Sequence, residues 1–260
     1  MFAPSADFAI DKAAGQACPH LGSNFRCGIH ARLRQQGFRG CAVYDCFGAG
    51  QHVSQVSFGG VDWQREPRLA GQMFEVFRVM RQLHELLWHL AEALRLQPPP
   101  ALAADLRLTF DEIRRLTECS PEALLSLDVA GHWRHANALL LRVSKRARAT
   151  LRRTTAEYAG AELVGADLRG ADLGGANFRG ACLIAADLRR ANLRLADLTG
   201  ADVRDTDLRG ADLSESLFLT QSQLDAANGD AETKVPPVLS RPTHWLSGDR
   251  SFSWPTRRRR

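Results

Sequence analysis

A period of five residues restricts this 260-residue chain more than any other feature, since thirteen consecutive units run from Ala156 to Thr220 without an insertion. The third position of each unit is apolar or aromatic, from Tyr158, Leu163 and Leu168 through to Leu213 and Phe218. Two residues earlier stands Ala in every unit except those with Thr206 and Ser216, and the residue between is Asp, Asn or Glu except at Cys182 and Leu217. Such a period suits neither an amphipathic helix nor a lone hairpin. Residues two apart in an extended segment face the same side, so Ala and Leu share one interior while the intervening carboxylate or amide faces water. The chain must then turn every five residues, and Gly160, Gly165, Gly170, Gly175, Gly180, Gly200 and Gly210 stand where a corner is needed.

These A(D/N)LxG units resemble the pentapeptide-repeat family. The resemblance implies a right-handed quadrilateral β-helix with four units per coil, here about three coils. Residues twenty apart agree with that period: Asp167, Asp187 and Asp207 match, as do Leu168, Leu188 and Leu208, and Arg169, Arg189 and Arg209. A second face holds Tyr158, Phe178 and Phe218. Stacked rungs put like side chains about 4.8 Å apart, and an Asp column beside an Arg column offsets the repulsion within each. These six charged residues are the candidate binding surface, and as ion pairs they are expected to form a solvated ladder.

The fold class expected is α+β: a cysteine-rich segment over 1–70, a helical domain over 71–155, the β-helix over 156–220, and a capping helix with a basic tail over 221–260. No stretch is apolar and long enough to span a bilayer, and the first residues lack the basic start and apolar run of a signal peptide, so the cytoplasm is the expected compartment. Thiols stay reduced there, which favours ligands over disulfides. Cys18, Cys27, Cys41 and Cys46 fall within 29 residues, with His20 and His30 beside them. Four thiolates suit a tetrahedral zinc ion that staples a segment too short and polar for a core of its own. An iron–sulfur cluster and unliganded buried thiols are the other readings. The spacing is similar to the latter part of cysteine-cluster zinc- or iron-chelating proteins, whose upstream cysteines this chain lacks.

Farther on, the segment from Cys46 to Pro67 reads as a short hairpin or loop, and its GAGQ lacks the Lys-Ser/Thr of a P-loop. From about Gly71 to Leu96, Val76, Met80, Leu83, Leu87, Leu90 and Leu94 recur at helical spacing, and Pro98–Pro100 ends that helix. Its His84 and His89 do not share a face and are expected as exposed or hydrogen-bonded residues. Further helices are expected at Thr109, where Thr109–Glu112 reads as a capping box, at Ser120-Pro121, and from Trp133 to about Leu151. The run Arg142, Lys145, Arg146, Arg148, Arg152 and Arg153 is expected as a solvated face complementing a helix C-terminus. Thr220–Gln223 is a second capping box, placed to start a helix over the last coil.

Charge is uneven: residues 156–220 carry 7 basic and 11 acidic side chains, whereas 1–155 carry 20 and 14. The formal total of +5 hides an acidic repeat between basic ends that finish in Arg257–Arg260. The segments around the repeat resemble actinobacterial pentapeptide-repeat proteins. The repeat has no histidine and no nucleophile beside a base, so no enzyme activity is expected. The leading functional expectation is a cytoplasmic scaffold that binds a protein partner. The family supplies a second, a DNA-mimicking modulator of a type II topoisomerase (gyrase) involved in inhibitor resistance, although the Arg column interrupts a negative surface. A third is a redox or iron–sulfur sensor at the cysteines. Nucleic acid and membrane are not expected partners, while the coil ends and the long apolar helix offer homodimer surfaces.

Overall fold

The computed structural model describes residues 5, 7–13, 16–151 and 156–246. They fall into two compact units, one within 1–145 and one within 146–260. Arg152, Arg153 and the arginines from 257 to 260 lie outside the described residues.

In the first unit a short helix α1 (Arg39–Ala42) and α2 (Ala49–His52) precede the long α3 (Pro67–Arg95), followed by α4 (Pro100–Leu116), α5 (Pro121–Leu125) and α6 (Val129–Ala149), whose last turn, 146–149, belongs to the second unit. Met73, Val76, Met80, Leu83, Leu86, Leu90 and Ala93 form the buried stripe of α3, at the three-and-four spacing that places side chains on one helical face. That stripe packs against α2, α4 and α5. Helix α3 begins four residues earlier than the sequence pattern indicates because Pro67 occupies its first turn, where the missing N–H costs nothing.

Two local expectations are corrected. Thr109 is inside α4 and does not start a helix; Pro100 starts it, and the buried Thr109 hydroxyl donates to the Asp105 carbonyl at 3.0 Å, one turn back. The expected hairpin after Cys46 is instead α2 running into a π-helical turn, Val53–Ser57. Gly48, at φ +80°, admits the chain to α2, and Gly59 and Gly60, at φ +59° and +84°, close the turn. The cap at Ser120 is as expected, its side chain accepting from Ala123 N at 3.3 Å.

The second unit is a stack of coils. Parallel bridges join Glu157 to Asn177, Glu162 to Cys182, Asp167 to Asp187 and Asp172 to Asn192, and the same twenty-residue step repeats in the next coil. Each coil thus holds four units. The second residue of a unit accepts from the third residue of the coil before, as from Phe178 N to Asp197 O at 2.8 Å. A tight turn follows, closed by bonds such as Ala181 N to Phe178 O at 2.9 Å. With a turn in every unit, pairing never extends beyond one bridge, so among the described residues the coils contain isolated bridges and no longer strand.

From Gly160 to Gly210 the fifth residue of each unit has positive φ, between 63° and 69° at the seven glycines, the signature of a type II turn. Ala185, Arg190, Leu195 and Asp205 hold the same position at φ 55° to 59° without being glycine. The interior is filled by Ala176, Phe178, Leu183, Ala186, Leu188, Ala191, Leu193 and Ala196, all at most 1% exposed. Tyr158 and Phe178 stack at 5.2 Å with planes 14° apart, as the twenty-residue column requires.

Both ends of the stack use residues outside the regular repeat. Helix α7 (Gln221–Ala226) starts from the Thr220 capping box, and Gln223 donates its amide to the carbonyls of Leu198 and Ala201, both at 2.9 Å. Asn228 and Lys234 then pair with Asp207 and Asp212, adding a partial rung that the five-residue pattern does not announce. Trp245 covers Gly229 so closely that an added Cβ would fall 2.4 Å from its ring, and its Nε1 donates to Ala227 O. At the opposite end Arg148 is buried, donates from Nε to Gly175 O at 2.7 Å, and pairs with Glu157. The solvated role expected for Arg148 is thereby corrected: it satisfies a carbonyl at the first coil.

Leu188→Ala removes a fully enclosed side chain whose neighbours above and below are held by the ladder and cannot close the gap. Its unfolding free energy is expected to fall by about 2–5 kcal/mol, read from urea denaturation; a change within experimental error would contradict this core.

Candidate functional site

The bridges bring Asp167, Asp187 and Asp207 into one column. Two residues on, each arginine folds back on the aspartate of its own unit with a two-pronged contact. Arg169 donates to Asp167 from Nε at 2.8 Å and Nη2 at 2.6 Å, Arg189 to Asp187 at 2.8 and 2.5 Å, and Arg209 to Asp207 at 2.9 and 2.5 Å. The planar guanidinium fits a carboxylate in this way and fixes both groups. Arg169 Nε is also 3.6 Å from Asp187 and Arg189 Nε 3.6 Å from Asp207. The two columns therefore form one alternating zipper across three coils.

Hydrogen bonds from Arg169 hold the Asp167 carboxyl down at about 2, and those from Arg189 and Arg204 lower Asp187 and Asp202. Asp207 and the three arginines complete the surface read from the sequence. Beside it lies a groove of about 530 Å³, lined by Arg169, Arg189, Arg190 and Arg209 with Asp230 and Glu232 at one edge. Asp230 is occupied by the backbone N–H groups of Gly210, Glu232 and Thr233. Arg190 is exposed and has no carboxylate partner among the described residues. It stands at a corner where most units have glycine, so its guanidinium projects from the turn rather than from the Asp/Arg column.

Sequence reasoning missed Arg190, Asp230 and Glu232 as parts of this face. Arg190 was visible as a break in the glycine series. Asp230 and Glu232 were not, because their place depends on the irregular path after α7.

On the neighbouring face Glu162, Cys182 and Asp202 align, with Val164 exposed and Ile184 half-buried beside them. His84 donates from Nδ1 to Phe47 O at 2.9 Å, and His89 is buried between Trp88 and Trp133. His84 also meets the His52 ring edge-on at 5.1 Å; burial, with His84 second, pushes the His52 pKa down.

All six cysteines are free thiols of intermediate exposure. Cys18, Cys27 and Cys41 line one cavity of about 420 Å³ together with His20 and His30. Burial raises the Cys41 thiol, with Cys18 and Cys27 adding to the shift. Cys46 lies outside that lining, its Sγ 3.9 Å from Gln51 Oε1. Among the described residues, no three His, Cys, Asp or Glu side chains already stand as a set able to hold a metal ion.

A family model for pentapeptide repeats matches residues 148–183 and 176–215. The uncharacterized protein YybG of Bacillus subtilis (strain 168) is 56% identical over 247 residues, covering 94% of this chain and 88% of that protein. The chain belongs to the pentapeptide-repeat family, and its coils form a β-helix that follows a helical N-terminal region. Because that relative is from Bacillus, the shared sequence is not confined to actinobacteria.

Solved structures with similarity include a pentapeptide repeat protein of the Arabidopsis thaliana thylakoid lumen, 30% identical over 33% of this chain and 54% of its own, with a TM-score of 0.25. This chain therefore spans about half of that protein's length. A Nostoc PCC 7120 protein is 27% identical over 36% of this chain and 84% of its own, with a TM-score of 0.19. HetL of Nostoc sp. strain PCC 7120, involved in heterocyst differentiation regulation, is 27% identical over 31% and 43%, with a TM-score of 0.15. No helix among the described residues is long and apolar enough to cross a membrane.

The zipper sets a pH dependence. Arginine pairing depresses the folded carboxyl pKa, so the stability it contributes is fully present above the unfolded value of about 3.9. It is lost as pH falls through the folded value, about 2 at Asp167. The stability difference between the wild type and an Asp167→Asn/Asp187→Asn variant is expected to stay constant from pH 7 to about 5 and to shrink between about 4 and 2. Denaturant unfolding at each pH measures it, and a difference that survives unchanged at the lowest pH would contradict the pairing.

Proposed function

We propose that this protein is a non-catalytic binding scaffold, in which a right-handed four-sided β-helix presents the Asp167–Arg209 zipper and its arginine groove to a protein partner. The observation that carries this reading is the groove itself. It lies on the face whose charged side chains are held in register by the coil, so they lose less conformational freedom on binding than free surface arginines would. Arg190 adds a cation with no carboxylate partner among the described residues, which suits a carboxylate-bearing segment of the partner. Backbone pairing holds the rows at a constant spacing, so recognition reads a pattern and not a single pocket.

The repeat offers little for acid–base or covalent chemistry, because the carboxylates of the Asp167, Asp187 and Asp207 column are tied to arginines and it contains no histidine. The topoisomerase reading is less favoured on the same geometry. A duplex mimic needs an uninterrupted negative face, whereas each aspartate of this column is matched by an arginine. The three coils of the repeat also span only about 15 Å at strand spacing.

The reading is checked by recovering proteins from source cells on the immobilised full-length chain and on an Arg189→Glu/Arg190→Glu variant with an unchanged circular dichroism spectrum. Specific partners are expected to be retained by the first and lost from the second; identical recovery on both would remove this face from the function. In a parallel supercoiling assay with purified gyrase, neither inhibition nor protection is expected at micromolar protein.

A further inference from the structure

The first unit carries a cluster that the scaffold reading does not use. Between residues 18 and 41 the backbone makes three short turns that lead to one place. Leu21 N donates to Cys18 O at 2.9 Å, closing the Cys18-Pro-His-Leu turn. Leu21 and Cys27 pair as an antiparallel bridge, flanked by Gly22 N to Arg26 O at 2.9 Å and Gly28 N to His20 O at 2.8 Å. Cys27 O accepts from His30 N at 3.3 Å, so Cys27-Gly-Ile-His30 is a second tight turn, leading into the 3₁₀ turn His30–Arg32. Helix α1 then brings Cys41 to the same cavity, its N–H bonded to Phe38 O at 3.1 Å.

We infer that Cys18, Cys27, Cys41 and His30 are the ligands of a structural zinc ion that closes this cavity, with Cys46 outside the set. Three soft thiolates and one imidazole around a borderline cation match tetrahedral zinc in ligand type and number. The four are present together in the lining without yet meeting at a point, and the ion draws them in. His30 is assigned over His20 for two reasons. It ends a Cys-x-x-His turn whose i to i+3 backbone bond puts Cys27 and His30 at the two ends of one tight turn, both in the cavity lining, whereas His20 is held edge-on against Phe38 at 5.2 Å.

The segment also needs such a link. Between residues 16 and 47 only Leu33 and Phe38 are buried, too little apolar surface to order some thirty residues. Leu21, Leu33, Phe38, Trp63 and Phe74 give the cavity apolar walls that shield the thiolates once bound, while Lys12 and Gln16 line it as polar neighbours. On binding, three thiols release three protons to solvent and the imidazole coordinates in its neutral form, leaving a site of net charge −1.

The test is metal analysis of the full-length chain purified reduced and without oxygen. A single zinc ion per chain is expected; iron in its place, or no metal, overturns the inference. Cys46→Ser is expected to keep full occupancy, while His30→Ala weakens zinc binding by roughly 100-fold or more and His20→Ala does not; loss on Cys46→Ser, or the reverse order of the histidines, overturns the ligand set. Since Cys41→Ser could simply fail to fold, the unmodified chain gives an independent readout. Alkylation followed by peptide mass spectrometry should find Cys18, Cys27 and Cys41 protected until a chelator is added, and Cys46 and Cys119 equally reactive before and after. Equal reactivity of all the thiols with and without chelator would remove the site.

Discussion

The tight turn that closes every fifth residue governs the second unit. It limits each unit to one parallel bridge, so apart from the bond that closes each turn the backbone groups of one coil find their partners in the coils before and after it. Neither helix nor open sheet satisfies that pattern, and the stack follows. Inward positions two apart then fall at fixed places on each rung, and Ala beside Leu, with an occasional Val or Phe, fills the cross-section. Polar residues between them are forced outward in columns. The arrangement of charge on the surface is thus a by-product of the way the interior closes.

Columns of like charge repel at strand spacing, and this chain resolves the conflict by placing an arginine two residues after each aspartate of the face. The folded-back guanidinium neutralises its own unit and leans toward the next, which leaves a locked zipper in place of an acidic strip. Arg190 escapes that neutralisation because it replaces a corner glycine and accepts a φ of +59°. A residue in a conformation that favours glycine, beside a groove and with no carboxylate partner among the described residues, is where this surface departs from the demands of folding alone. The ends of the stack show the complementary problem. Their exposed carbonyls are met by Arg148, Gln223 and the partial rung of Asn228 and Lys234.

Much of this was legible in the sequence. The period, the twenty-residue column of Asp167, Asp187 and Asp207, the stacked aromatics and the Thr220 capping box depend on short-range rules that leave a repeated mark. The core stripe of α3 was legible for the same reason. Thr109 misled because a capping motif looks the same whether its hydroxyl serves an N-terminus or bonds back within a helix, and Pro100 had already started α4. The segment after Cys46 misled because its glycines flank a helical turn instead of a strand pair. Arg148 looked like one charge of a solvated run, since nothing local tells which member of such a run meets a carbonyl.

By itself the sequence determined the repeating architecture, because a local rule applied thirteen times leaves few ways to bury the leucines and pair the backbone. Only the tertiary structure decided which residues from different units share a place. It set Asp230 and Glu232 beside the arginine column, brought Cys18, Cys27 and Cys41 to one cavity with His30, and left Cys46 apart. The physical reason is the same in each case: these neighbours are brought together by irregular turns, whose course depends on long-range packing and leaves no period to read.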